Sequence, residues 1–172
     1  MTVRILLITL FLFGIGFIAY NQSDSSWLYR VSLEDDPTAT GYVNAEGDTI
    51  VPIGKYTACF ADTIKTYGAV YDPERKAFIG INNKDEFLFE IFFFDNGPDY
   101  VVEGLFRIVE DGKIGYANEA GEIVIVPKYS CAHPFMDGKA EVTFSCTTEK
   151  REEHSLWKSN EWFFIDKQGN KL

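Results

Sequence analysis

The chain has 172 residues, of which 46% are hydrophobic and 24% charged, so it can form one ordinary domain with a buried core and is not disordered. Its net charge of −10 repels phosphate backbones and anionic lipid, which argues against nucleic-acid binding and against electrostatic docking on a membrane. Aromatic residues make up 16% of the chain, which favours strands over helices.

The N-terminus contains an apolar segment. Residues 5–20 read ILLITLFLFGIGFIAY, without a charge, after Arg4, and this pattern is typical of an export signal. Residues 1–26 are predicted to be a cleaved signal peptide or an uncleaved helical anchor with a polar linker. As a helix this segment would be roughly 24 Å long, too short to span the roughly 30 Å hydrocarbon core of a bilayer, which favours a cleaved signal peptide. The lack of a small-residue cleavage pair near Tyr20 favours the uncleaved anchor. Both alternatives place residues 27–172 outside the cytoplasm; a third alternative is a buried helix of the domain itself.

A phrase recurs along the rest of the chain. GYVNAEGDTIVP begins at Gly41 and GYANEAGEIVIVP begins at Gly115, and weaker copies surround Asn82 and Asp166. Such a repeat predicts units that cannot bury their apolar faces alone and therefore stack on their neighbours. The predicted units cover approximately 27–62, 63–100, 101–138 and 139–172.

Each unit is predicted to contain short antiparallel strands joined by tight turns. Asparagine tolerates the left-handed backbone conformation of such turns, and glycine adopts it freely. The predicted turn residues are Asn44, Gly47, Gly112, Asn118, Gly121 and Gly169.

The longest of these phrases resembles a known repeat. EDGKIGYANEAGEIVIVPKY at Glu110–Tyr129, PFMDGKAEV at Pro134–Val142 and WFFIDKQG at Trp162–Gly169 are similar to the WG repeats of bacterial proteins. The Trp-Gly pair that is typical of that family is intact in none of the units; in the longest phrase, for example, Ile114 precedes Gly115. The resemblance covers about residues 27–172 and implies a β-rich repeat array with an interaction role and no catalytic residues.

The three cysteines, Cys59, Cys131 and Cys146, leave two alternatives. Either one disulfide forms in an exported chain and one thiol remains, or all three are small buried apolar residues. A nucleophile set of Cys131, His133 and a carboxylate is conceivable, but two groups so close on one loop rarely reach each other productively. Asp95–Asp99, DNGPD, loosely resembles a calcium loop but lacks the bidentate Glu of that pattern, which favours a plain turn. We therefore predict no catalytic, cofactor-binding or metal-ligating residue, and no cofactor.

Two stretches are candidates for partner contacts. Phe87–Phe94, FLFEIFFF, is either a strand buried on both faces or an exposed aromatic patch. Thr147–Glu161 is a polar insertion that is either a solvated hairpin or the carrier of a partner anchor, Trp157.

The predicted fold is all-β, with four WG-like repeats of short antiparallel strands forming a continuous twisted sheet or an open solenoid after one N-terminal hydrophobic helix. The predicted function is that of an exported, non-enzymatic interaction or scaffold protein of the bacterial envelope, periplasmic or at the cell surface. Its expected partner is a protein or an envelope component, not nucleic acid, and it contacts the membrane only through residues 5–20 if these are uncleaved. The alternative is a small enzyme or metal-dependent binder that uses the acidic loops.

Overall fold

The computed structural model describes residues 26–151 and 154–172. The predicted N-terminal helix over residues 5–20, and with it the signal peptide or anchor, lies outside the described residues. Within those described ranges the regular elements are strands, and no helix is long and apolar enough to span a membrane.

Eighteen strands lie in the described part of the chain. In chain order they are β1 (Leu28–Ser32), β2 (Thr40–Val43), β3 (Thr49–Val51), β4 (Ala58–Cys59), β5 (Thr63–Ile64), β6 (Gly68–Asp72), β7 (Ala77–Ile81), β8 (Phe87–Ile91), β9 (Phe93–Phe94), β10 (Gly97–Pro98), β11 (Leu105–Glu110), β12 (Lys113–Asn118), β13 (Ile123–Tyr129), β14 (Cys131–Ala132), β15 (Lys139–Thr143), β16 (Thr147–Arg151), β17 (His154–Lys158) and β18 (Phe163–Asp166).

The strands form several antiparallel sheets, which confirms the predicted all-β class. The largest sheet has seven strands in the order β13-β12-β11-β8-β7-β6-β4, and a four-stranded sheet has the order β3-β2-β1-β5. A three-stranded sheet, β14-β15-β18, and the hairpins β9–β10 and β16–β17 complete the described fold. The structure therefore does not show the single continuous sheet or solenoid that we expected. The seven-stranded sheet joins strands of the first three predicted units, whereas the N-terminal and C-terminal strands lie in sheets of their own.

The buried side chains form three clusters. One lies under the N-terminal sheet around Tyr42, and another lies under the C-terminal strands around Tyr116. A third, around Phe89 and Phe106, fills the middle of the seven-stranded sheet. The hydroxyl of Tyr42 donates to the carbonyl of Ala61 at 2.8 Å, and that of Tyr116 donates to the carbonyl of His133 at 2.7 Å. A buried tyrosine usually needs such a partner.

Two glycines allow neighbouring strands to approach closely. A Cβ atom at Gly41 would lie 2.5 Å from the carbonyl oxygen of Val51, and one at Gly115 would lie 2.3 Å from that of Ile125. The ladders β2–β3 and β12–β13 each have an irregular register near these residues, as expected where a bulge brings two backbones together. Both glycines begin the repeated phrase, and this role was not predicted from the sequence.

Candidate protein-binding surface

A short hairpin projects from the end of β8. β9 pairs with β10 through Phe94–Gly97 and Phe93–Pro98, and the two tip residues, Asp95 and Asn96, have φ values of 48° and 61°. Positive φ at both central residues is typical of a type I′ turn, whose twist matches that of the paired strands. The hairpin therefore holds two consecutive phenylalanines in a fixed geometry.

A buried ion pair fastens this hairpin to the seven-stranded sheet. The Asp99 carboxylate accepts hydrogen bonds from the backbone N–H of Arg107 at 2.8 Å and from its Nε at 2.9 Å, and it also pairs with Nη2. Arg107 Nη1 donates to the carbonyl of Ala132 at 3.2 Å, and the guanidinium lies over the rings of Phe92 and Phe94 at 4.3 and 5.3 Å. One arginine thus ties the hairpin, β11 and β14 together.

Asp99 was also the last residue of the calcium-like stretch Asp95–Asp99. Its carboxylate is engaged by Arg107, and Asp95 lies at the tip of the turn. Among the described residues, no group of three His, Cys, Asp or Glu side chains is arranged to hold a metal ion.

The hairpin presents exposed aromatic rings on both of its sides. We call the group Phe60, Phe93, Phe94 and Tyr100 the aromatic surface; these side chains are 47%, 61%, 44% and 58% exposed. Phe60 and Phe93 both pack on the buried ring of Phe78, at centroid distances of 5.5 and 5.9 Å, and Phe94 packs on Tyr100 at 5.9 Å. Clustered rings exposed to this extent are typical of binding surfaces.

The structure thus decides between the two alternatives for Phe87–Phe94. In β8, Phe89 and Ile91 are buried, so this part follows the alternation of a sheet with one buried face. Phe93 and Phe94 are exposed, so the stretch is not a strand buried on both faces.

The predicted partner anchor, Trp157, lies in the hairpin β16–β17 opposite Thr148. Its ring is partly buried and packs on Phe92 at 5.8 Å and on His133 at 5.6 Å. Much of the indole therefore serves contacts within the chain, and a partner contact by Trp157 stays a prediction.

The candidate nucleophile set lacks a free thiol. Cys131 forms a disulfide with Cys146, with 6.2 Å between their Cα atoms, while Cys59 is a buried free cysteine. Burial lowers the pKa of His133, opposed by the nearby charge of Glu141. These facts leave Cys131 and His133 as structural groups and give no support to the alternative of a Cys–His enzyme.

The predicted turn residues lie in turns or at their start: Asn118 ends β12 where its turn begins, and Gly169 lies in the turn that follows the last strand, β18. Gly47, Gly112, Gly121 and Gly169 have φ values between 70° and 89°, the left-handed region that favours glycine. The Asn44 side-chain oxygen accepts hydrogen bonds from two backbone N–H groups of its turn, at 3.1 and 2.7 Å.

The same hydrogen-bonding pattern recurs at three further turns. The side-chain oxygen of Asn118 accepts two backbone N–H groups at 3.0 Å each. Asn82 and Asp166 do the same in their turns. The hydrogen bond from the Asn170 side chain, followed by these backbone bonds, lowers the pKa of the Asp166 carboxyl. An Asx turn of this kind needs only a short side chain with an oxygen acceptor.

Comparison with protein families finds one matching model. The family of the ethanolamine utilisation protein EutQ matches residues 61–148, just over half of the chain, and this range contains Arg107, Asp99 and the whole β9–β10 hairpin. The chain belongs to the EutQ family. Comparison with curated proteins and with solved structures gives no match.

Membership of the EutQ family corrects several predictions. The assignment to the WG repeats is wrong, because the matching family is a different one; the Asn-x-x-Gly phrases on which it rested are signatures of a tight turn that unrelated β proteins share. The predicted exported scaffold of the bacterial envelope is also wrong, since the matching description names ethanolamine utilisation. The predicted periplasmic or cell-surface localisation, which rested on the apolar segment 5–20, is corrected by the same match, and anchoring by residues 5–20 falls outside the described residues.

Proposed function

We propose that this chain takes part in ethanolamine utilisation as a non-catalytic protein that binds a protein partner through its aromatic surface. The participation is supported by the EutQ family match over residues 61–148. The mode of action is supported by one structural observation, the exposed rings of a hairpin held by the buried Arg107–Asp99 pair.

The geometry of the aromatic surface suits protein binding. Aromatic side chains bury a large area and lose little conformational entropy, because each has only two rotatable side-chain bonds. Phe93 and Phe94 form one strand of the β9–β10 hairpin, whose backbone is already ordered. The entropy that is lost when the interface forms is therefore smaller. The net charge of −10 favours a protein partner over nucleic acid.

The proposal of a non-catalytic role is supported by the state of the reactive groups. Cys131 is consumed in the disulfide, and Asp99 is engaged by Arg107. In the ranges that the structure describes, no cluster of metal-ligating side chains offers an alternative centre.

Growth on ethanolamine as the nitrogen source tests this function. A strain lacking the gene is complemented with the wild-type chain, with the variant Phe93→Ser/Tyr100→Ser, or with the control Met136→Ser, which removes an apolar side chain of 71% exposure elsewhere. We expect the wild type and the control to restore growth and the aromatic variant to fail while melting at the wild-type temperature. Normal growth of the deletion strain, or full rescue by the aromatic variant, would overturn the proposal.

We also propose that the domain is built from four related hairpin units. The proposal is supported by the four Asx turns headed by Asn44, Asn82, Asn118 and Asp166, which share one hydrogen-bonding pattern. Replacing residues 44–48, NAEGD, by the NEAGE of residues 118–122 tests it. We expect an unchanged melting temperature, and a loss of several degrees would show that the turns are not equivalent.

A further inference from the structure

The tip of the β9–β10 hairpin differs in sequence from the other tight turns of the fold. Four two-residue turns in the described chain have positive φ at both of their residues. Three of these turns have glycine as the second residue, at Gly104, Gly112 and Gly138, where positive φ costs least. In the β9–β10 hairpin the second residue is Asn96, with a φ of 61°. The turn that supports the aromatic surface therefore has an asparagine where glycine would fit without strain.

The described structure shows no contact that requires an asparagine at this position. Asn96 is exposed, and its side chain forms no hydrogen bond within the described residues. In Asn44, Asn82 and Asn118, by contrast, the side-chain oxygen accepts two backbone N–H groups. The amide nitrogens of these three residues donate to carboxylates at 3.2, 2.7 and 2.8 Å. Their amides are held in place, whereas the amide of Asn96 can rotate.

The residue that follows this amide is a glycine. Asn96-Gly97 is the one Asn-Gly pair in the sequence. Because glycine has no side chain, another group can approach its backbone nitrogen closely. The space around Gly97 is open as well, since a Cβ atom there would meet no atom closer than 3.9 Å. A bond between the Gly97 nitrogen and Asn96 Cγ closes a five-membered ring, and the two groups lie on adjacent residues, which favours their reaction.

The strand pairing that engages the Gly97 nitrogen is short. β9 and β10 share two residue pairs, and in one of them Pro98 has no N–H to donate. A ladder of this length opens locally at low cost. The buried ion pair meanwhile keeps the base of the hairpin attached to the sheet. The Gly97 nitrogen thus becomes accessible without unfolding of the domain.

We propose that Asn96 is a site of spontaneous deamidation and that this reaction disables the aromatic surface. The Gly97 nitrogen attacks Asn96 Cγ, so that the N–Cγ bond forms and the Cγ–Nδ2 bond breaks. Ammonia leaves with the proton of the Gly97 N–H, and a succinimide ring remains. Water then opens the ring at either carbonyl. One product is aspartate, and the other is isoaspartate, in which the main chain runs through the former side chain.

Both products change the hairpin. Each replaces a neutral amide by a carboxylate beside Asp95, and the two like charges repel each other. Isoaspartate also adds one atom to the main chain, which a two-residue turn cannot absorb without losing the Phe94–Gly97 pair. The rings of Phe93 and Phe94 then lose the ordered backbone that favours binding. The reaction is therefore a slow, one-way switch, a consequence that rests on the proposed function of the aromatic surface.

Mass spectrometry of the ageing protein tests the reaction. The whole purified chain is kept for weeks at mildly alkaline pH, which promotes loss of the proton from the attacking nitrogen, and samples are digested at intervals. Deamidation raises the mass of the peptide that contains Asn96, and the peptides that contain Asn44 and Asn118 are internal controls. Two variants are treated in the same way. Gly97→Ala places a methyl group beside the attacking nitrogen, and Asn96→Gly removes the amide but keeps the turn chemistry of the other three turns.

We expect Asn96 to deamidate while Asn44 and Asn118 stay intact. In Gly97→Ala the reaction should be slower by on the order of tenfold, which corresponds to about 1.4 kcal/mol in the activation free energy. Chymotrypsin, which cuts after aromatic residues, should cut the hairpin of the aged wild type faster than that of the fresh protein. Ageing should not change the rate at which it cuts Asn96→Gly.

Four results would overturn the inference: an intact Asn96 in the folded chain when the urea-unfolded chain has deamidated there, equal deamidation at Asn118, equal rates in the wild type and Gly97→Ala, or a deamidated protein that chymotrypsin cuts no faster. These results are distinct from a failure of the proposed function. Growth that depends on Phe93 and Tyr100, together with an intact Asn96, refutes the deamidation site alone. Deamidation of a chain whose aromatic variant still supports growth refutes the binding role alone.

Discussion

The buried pair of Arg107 and Asp99 gives the sharpest test of the structure. Their side chains are only 3% and 2% exposed, so replacing Asp99 by Asn leaves the guanidinium buried without its counter-ion. Breaking a buried ion pair in this way costs about 3–5 kcal/mol. Because a domain is typically stable by about 5–15 kcal/mol, the loss is a large fraction of the total.

Replacing both partners by apolar residues should cost much less. In Asp99→Leu/Arg107→Met no unpaired charge remains, and such replacements are often close to neutral, within about 1–2 kcal/mol. The double variant still loses the hydrogen bond to the Ala132 carbonyl and the contact of the guanidinium with the Phe92 ring. We therefore expect it to be more stable than Asp99→Asn and less stable than the wild type.

Urea unfolding followed by tryptophan fluorescence measures these differences, because Trp157 packs on Phe92 close to the pair. The free energies of unfolding of the wild type, Asp99→Leu, Arg107→Met and the double variant form a double-mutant cycle. A cost below about 1 kcal/mol for Asp99→Asn would show that the pair behaves like an exposed salt bridge. Additive costs in the double variant would likewise refute the coupling between the two side chains.

Three further predictions follow from the described contacts. Replacing Cys146 by Ser removes the disulfide to Cys131, whose sequence separation is 15, and should lower the free energy of unfolding by on the order of 3 kcal/mol. Reduction of the wild type by dithiothreitol should have a similar effect. An unchanged free energy of unfolding in both experiments would contradict this prediction. Gly115→Ala should lower the free energy of unfolding by about 1–3 kcal/mol or more, because the new methyl group meets a backbone oxygen at 2.3 Å. In the matched control Gly97→Ala the methyl group meets no atom closer than 3.9 Å, so the free energy of unfolding should hardly change. Burial holds the pKa of His133 below its ordinary value, so the unfolded chain binds more protons than the folded chain as the pH falls below about 6.5. The melting temperature should therefore fall between pH 7 and pH 5.5, and it should fall less steeply in His133→Gln. An equally steep fall in both proteins would refute the role of His133.

The strands and turns were predictable because their signals are local. Alternating apolar residues bounded by Gly, Asn and Asp residues predict short strands with tight turns, and the all-β fold of several antiparallel sheets agrees with that. The division into separate sheets was not predictable in this way. It depends on which distant strands pair, as β1 does with β5 and β8 with β11, and such pairs carry no local signal in the sequence.

The buried ion pair had a signal that the sequence analysis did not use. Arg107 stands within Leu105–Val109, LFRIV, and a single charge inside an apolar strand rarely points into a core without a partner. The identity of that partner was out of reach, because Asp99 lies in a loop that offers several acidic residues. The aromatic surface was one of two alternatives for Phe87–Phe94, and only the direction of the β9–β10 hairpin decides between them.

The aromatic surface offers apolar area on a backbone that the Arg107–Asp99 pair holds in place, so affinity there depends on burial. A chain of net charge −10 attracts basic partners from a distance, which speeds association with them more than it adds to affinity. The exposed rings and the net charge therefore act on different steps of binding. Phe93→Ser should weaken the binding of the partner, whereas raising the salt concentration should slow its association.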